Sequence, residues 1–273
     1  MENMRDPGDA FAPQEVARRV AQLGVAKVRG SSLTLFVLAV LAGAFISLGS
    51  LLFAVAITGS MLGLGPTRLL GGAAFSLGLV LVLIAGAELF TGNNLAVMAW
   101  ASRLVSLREL LRAWGVVYVG NLCGALLTAG ACHTAQAHAL GGGAVRETLL
   151  GIGRHKAAAA ADPLALFLLA VLCNALVCLA VWLAQAGHTV TDRILGIAFP
   201  VTAFVALGFE HSIANMFFLP YAMLLEGGTG LLARSLLNLL VVTAGNILGG
   251  SGLVAGVYWL AYLRPGAVPR KLP

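Results

Sequence analysis

Two glutamates stand where a long apolar chain has little room for charge, and both sit in the same setting: Gly86, Glu88 and Asn93 in one place, Gly208, Glu210 and Asn215 in another. Both read Gly-x-Glu-x4-Asn. His211 follows Glu210 directly, and Thr91 lies three residues beyond Glu88. An unpaired carboxylate in hydrocarbon is costly, and a helix that breaks there frees backbone amides that must be met by protein or by water in a cavity. The amide end of a half-helix carries partial positive charge and suits an anion better than a cation. Glu88 and Glu210 are therefore expected to accept from the freed amides rather than to bind a transported ion. Histidine is the side chain that changes charge near neutral pH, so His211 is placed to offer a positive charge to a passing anion. Thr91 offers a neutral hydroxyl, although a threonine in a membrane helix commonly bonds its own backbone.

The elements that must hold these residues are apolar throughout. Of 273 residues 59% are apolar and only 28 are charged, against about a quarter in a soluble domain. Nine of those charges fall in the first 29 residues and three in the last ten. Such a chain cannot cover a water-facing surface and must be an integral membrane protein. Four long runs carry no charge: 30–67, 113–145, 163–191 and 235–263. Each exceeds the roughly 20 residues that a spanning helix needs. Two further apolar regions, 69–102 and 194–225, are each split by one of the two glutamates. The spacing predicts six spans, the second and fifth broken. Gly-Asn-x-x-Gly also recurs, as Gly120, Asn121 and Gly124 and as Gly245, Asn246 and Gly249. The copies of the two motifs lie 122 and 125 residues apart. Three spans per copy make the repeats, about 31–135 and 162–263, inverted across the membrane.

Counting Lys and Arg with the N-terminus inside gives 12 inside and 5 outside, which predicts both termini in the cytoplasm. The segment 1–30 is expected to be a cytoplasmic leader, residues 31–263 the membrane channel domain and residues 264–273 a cytoplasmic tail. Within the leader, Val16, Val20 and Leu23 share a helical face opposite Arg18, Arg19 and Gln22, which fits a short amphipathic helix at the membrane surface or a simple topology anchor. The basic residues are scattered at segment ends, which argues against nucleic acid. Cys123, Cys132, Cys173 and Cys178 lie in or beside apolar runs and read as packing residues, not as a disulfide framework or a zinc cage. Apart from His211, the histidines (His133, His138, His155, His188) fall at span ends or in loops and are expected to be solvated. With one histidine at pore depth, no haem or metal site is expected, and neither a cofactor nor an enzymatic activity.

The segments GAELFTGNN (86–94), GNLCGAL (120–126), CNALVCLAVW (173–182) and GFEHSIANMF (208–217) resemble the formate/nitrite transporter family. The likeness runs from about Ser31 to Tyr262. It implies an all-α integral membrane fold with an aquaporin-like protomer, a homopentamer in the cytoplasmic (inner) membrane, and a pore for small monovalent anions through each protomer. By that resemblance His211, Thr91 and Asn174 form the pore centre. Phe75, Leu79, Leu89, Phe90, Val177 and Phe204 match two apolar constrictions, and apolar rings there would strip hydration and block leakage. Glu88, Asn93, Glu210 and Asn215 support the broken helices. Lys156, in the outside loop, matches a lysine that draws anions to the pore mouth. The implied partners are the lipid bilayer, further copies of the chain and an anion, formate first and nitrite or hydrosulfide as the alternative. An aquaporin-like channel for neutral solutes is the reading outside the family, and the paired Asn-Pro-Ala tripeptides of aquaporins are not in the sequence.

Overall fold

The computed structural model describes residues 10–265, and they are helical with no strand among them. Helix α1 (Pro13–Arg29) leads into the first repeat. That repeat contains α2 (Ser32–Ile57), α3 (Leu64–Ile84), a 3-10 turn at Gly92–Ala96, the short α4 (Val97–Ala101) and α5 (Leu107–Thr134). A connecting helix, α6 (Ala144–Ala159), precedes the second repeat: α7 (Pro163–Ala186), α8 (Val190–Ala206), α9 (Ser212–Glu226) and α10 (Leu232–Ile247). The last span continues through a π-helical stretch, Leu248–Gly256, into α11 (Val257–Tyr262). Among the described residues five helical segments are long and apolar enough to cross a membrane, and the apolar but shorter α9 completes the sixth span with α8. The large side chains left exposed on these helices include Phe199, Leu240, Leu164 and Leu127. A water-facing protein does not carry so much outward apolar surface, and the chain is a multi-pass membrane protein.

Helix ends are set by local chemistry. Ser31 caps α2 by accepting from the Thr34 amide, and Asp162 caps α7 ahead of Pro163 at the first helical position. Ser106 with Glu109 and Thr189 with Asp192 form capping boxes that start α5 and α8. The spans close on one another through missing side chains. A Cβ on Gly124 would lie 2.0 Å from the Val40 carbonyl oxygen, and one on Gly249 would lie 2.1 Å from that of Val171. Backbone touches backbone where α2 crosses α5 and where α7 meets the π-helical stretch that continues α10, as small residues in membrane helices allow.

Two segments differ from the expectation. The stretch around Lys156 is the helix α6, not an open loop; Arg146, Glu147, Arg154 and His155 lie on it, and its buried side includes Val145, Leu149, Leu150 and Gly153. The leader does form an amphipathic helix, but its apolar face is covered by protein. Val16, Ala17, Val20 and Ala21 pack with Leu95, Met98, Cys178, Trp182 and Val254, while Leu23 stays 41% exposed. Of the tail 264–273, residues 266–273 lie outside the described part.

Candidate functional site

Each broken span turns on a glycine with positive φ, Gly86 at +87° and Gly208 at +76°, a conformation that disfavours any residue with a Cβ. The freed backbone on either side is then satisfied in the same manner twice. Asn121 on α5 donates to the carbonyls of Glu88 (2.9 Å) and Ala39 (2.8 Å) and accepts from the Phe90 amide (2.9 Å). Asn246 on α10 donates to the carbonyls of Glu210 (2.9 Å) and Ala170 (2.8 Å) and accepts from the Ser212 amide (2.9 Å). These two asparagines, from the Gly-Asn-x-x-Gly motifs, do the work expected of the glutamates.

The glutamates have other partners. Glu88 accepts from Lys27 (2.9 Å) and from Asn93 (2.7 Å), and Lys27 also donates to the Asn93 side-chain oxygen (2.9 Å). Glu210 accepts from Lys156 (2.9 Å) and from Asn215 (2.7 Å), whose amide also donates to Asn238 (2.8 Å). Asn238 returns to the carbonyl of Lys156 (2.9 Å). The expectation that the carboxylates hold freed amides is therefore corrected: among the described residues both are bonded to side chains, an ammonium and a carboxamide each. Such pairing removes most of the penalty on a buried carboxylate. Helices α1 and α6 are equivalent in this respect, since each delivers one lysine to one break. Lys27 is the functional residue the sequence reading missed, because nothing in its spacing says that α1 folds back over Glu88.

His211 and Thr91 meet. His211 Nε2 lies 2.9 Å from Thr91 Oγ1, and both side chains are buried. His211 is also the N-cap of α9, its Nδ1 accepting from the Ala214 amide at 3.2 Å. With Nδ1 occupied as an acceptor, the hydrogen-bond network puts the ring proton on Nε2, which donates to Thr91. The imidazole in this arrangement is neutral and acts as a hydrogen-bond donor, whereas the sequence placed it to offer a positive charge. Asn174 lies behind this pair rather than beside the ring. It donates to the Thr91 carbonyl (3.3 Å), the Asn246 carbonyl (2.7 Å) and the Asn94 side chain (2.8 Å), so it ties the backbone of one break to the other repeat. Cys178 also donates to the Thr91 carbonyl (3.4 Å). The π-helical stretch brings Gly250 so close that a Cβ there would lie 2.5 Å from the Asn174 amide nitrogen.

One cavity reaches His211, and a second lies along the first break beside Leu89 and Gly92. The one on the α6 face measures about 380 Å³ and is lined by Phe75, Phe204, His211 and Lys156, with Arg68 and His155 at its wall. Phe75 and Phe204 meet edge to face, ring centroids 5.7 Å apart. The cavity on the α1 face is only about 60 Å³, bordered by Leu79, Leu89, Lys27 and Asn93. Phe90 and Val177 border neither cavity. Phe90 packs edge-on against Tyr118 (4.9 Å) and Trp114 (6.0 Å), and Val177 is buried in α7.

Of the remaining histidines, His155 and His188 are exposed as expected, with His188 against the ring of Phe11. His133 and His138 are half-buried and stacked, which corrects their reading as solvated; desolvation, then the neighbouring His133 and Arg146, pushes the His138 imidazole below its ordinary pKa. All four cysteines are free thiols.

A sequence profile of the formate/nitrite transporter family matches residues 14–260. The chain belongs to this family. The probable formate transporter of Methanothermobacter thermautotrophicus is 39% identical to it, over 94% of this chain and 99% of that one. The formate channel FocA of Escherichia coli is 36% identical, over 95% and 97%. Among solved structures, a pentameric formate channel with formate bound superposes with a TM-score of 0.76 at 38% identity, covering 85% of this chain and 98% of that one. An ion channel of the same formate/nitrite transporter family superposes at 0.79 and 30% identity, covering 90% and 98%. The family's members are transporters and channels, and the six-span fold with paired breaks is the family's.

Proposed function

We propose that the chain conducts formate, and with it other small monovalent anions such as nitrite, through a pore that joins the two cavities at His211 and Thr91. The observation that carries this reading is the 2.9 Å bond between these two side chains, which come from different breaks, with His211 lining the α6-face cavity. An anion arriving from the α6 face passes the Phe75–Phe204 pair, where loss of hydration discourages leakage of larger or hydrated ions. It then takes the place of Thr91 on the Nε2–H of His211. A carboxylate is a stronger acceptor than a hydroxyl, so this exchange needs no change in the ring's charge. Proton uptake at Nδ1 would break the bond to the Ala214 amide and produce an imidazolium, which could then hand a proton to the anion and let it leave as the neutral acid. Neutralising the ion lowers its cost in a low-dielectric constriction. Leu79 and Leu89 form the apolar passage on the other face, with Phe90 and Val177 packed behind it.

The same reading places the protein in the cytoplasmic (inner) membrane with α1 and both termini inside, on the Lys and Arg asymmetry, and makes it a homopentamer like the solved channel it resembles. The test is current across a bilayer holding purified protein, with formate, nitrite, chloride and a potassium gradient in turn. Saturable anion current is expected, and His211→Phe is expected to change the selectivity among anions and its pH dependence while leaving assembly intact. Glycerol uptake without anion current, or a His211→Phe variant indistinguishable at every pH, would overturn the proposal.

A further inference from the structure

A helix that stops leaves its last carbonyls unpaired, and that end carries partial negative charge. Each break therefore offers an anion one attractive end and one repulsive end. At the second break the repulsive end is that of α8. Arg68, near the start of α3, donates from Nε to the Ala206 carbonyl (2.8 Å) and from Nη2 to the Val205 carbonyl (3.3 Å). Its guanidinium is seated against the turn itself, since a Cβ on Gly208 would lie 2.7 Å from Nη2. No partner for Nη1 exists among the described residues, and Arg68 lines the α6-face cavity together with Lys156 and His211. The charges there do not cancel. Glu210, the carboxylate of this cavity, is paired with Lys156 at 2.9 Å, so the charge of Arg68 is left over. Among the described residues no arginine covers the carbonyl end of α3 on the α1 face. Lys27 is consumed by Glu88, and open space surrounds the equivalent glycine, Gly86, with nothing within 4 Å of a Cβ built there.

We propose that Arg68 covers the repulsive carbonyl end of α8 and makes the α6-face cavity a docking point for small monovalent oxyanions ahead of His211. The inference rests on the channel reading above. Its consequence is sidedness: anions load from the α6 face at lower concentration than from the α1 face, through a charge that salt can screen.

The test is one-sided formate current through channels inserted in a single orientation, at low and high ionic strength. In the unmodified protein the half-saturating formate concentration is expected to be lower from the α6 face, and the difference to shrink as salt is added. Arg68→Gln keeps a donor for the carbonyls but removes the charge. It is expected to raise that concentration by about three- to tenfold at low salt from the α6 face alone, with limiting current unchanged. Arg68→Lys restores the charge and most of the affinity. Equal half-saturation from both faces of the unmodified protein, or an Arg68→Gln variant that changes neither face nor the salt dependence, overturns the inference. If Arg68→Gln does not assemble, the two-faced comparison in the unmodified protein decides. Absence of any anion current from the unmodified protein would overturn the channel reading itself.

Discussion

The two broken spans share one scaffold and differ in what they present to the path between them. Gly86 and Gly208 make the same turn, Asn121 and Asn246 hold the same backbone groups, and Lys27 and Lys156 meet Glu88 and Glu210 at the same 2.9 Å. At an offset of 122 residues the counterpart of His211 is Leu89, and that of Thr91 is Ile213. One polar side chain comes from each break, from non-equivalent positions, and the two meet in a single hydrogen bond. Symmetry thus builds the two breaks, and departures from it place the polar pair. A strictly symmetric pair would give two imidazoles or none.

The lysines break the comparison most sharply. Lys156 is 13% exposed at its side chain and its glutamate 6%, whereas Lys27 is 33% exposed and its glutamate 11%. Lys156→Met strands a deeply buried carboxylate and is expected to cost about 3–5 kcal/mol. Lys27→Met, with solvent closer to Glu88, should cost about 1–2 kcal/mol. Thermal unfolding of the purified variants reads the difference, and equal losses would mean that the two clusters are energetically alike. Next come the asparagines, where the halves should agree: Asn121→Ala and Asn246→Ala each abandon three bonds to buried backbone, for about 2–4 kcal/mol. A clear inequality between them in the same melting experiment would show that one break bears more of the fold. The smallest effect on stability belongs to Thr91→Val, which removes a single bond for about 1 kcal/mol. Formate current should suffer more than the melting temperature does, and intact conduction would mean that Thr91 is not part of the path.

Much of this was legible without coordinates, because the membrane imposes simple rules. Charge-free runs mark the spans, and the repeated Gly-x-Glu-x4-Asn marks the breaks, since neither glycine nor glutamate sits in hydrocarbon without a reason. The partners of the glutamates were not legible. Lys27 and Lys156 lie on amphipathic helices whose charges look like those of any solvated connection, and only the tertiary fold turns one lysine on each toward a carboxylate. Asn121 and Asn246 were visible as landmarks, yet the direction of their amides depends on how closely α5 and α10 approach α2 and α7, which the glycines set. Neither could the double bonding of His211 be read, because the cap it makes exists only once α9 starts at Ser212.

That cap joins two things usually kept apart. The imidazole that lines the α6-face cavity is also the group that closes the first turn of α9, so its proton count and the order of that turn are one variable. Acid that protonates Nδ1 must release the Ala214 amide, and hydrogen exchange at that single amide becomes a reporter of the charge on the ring.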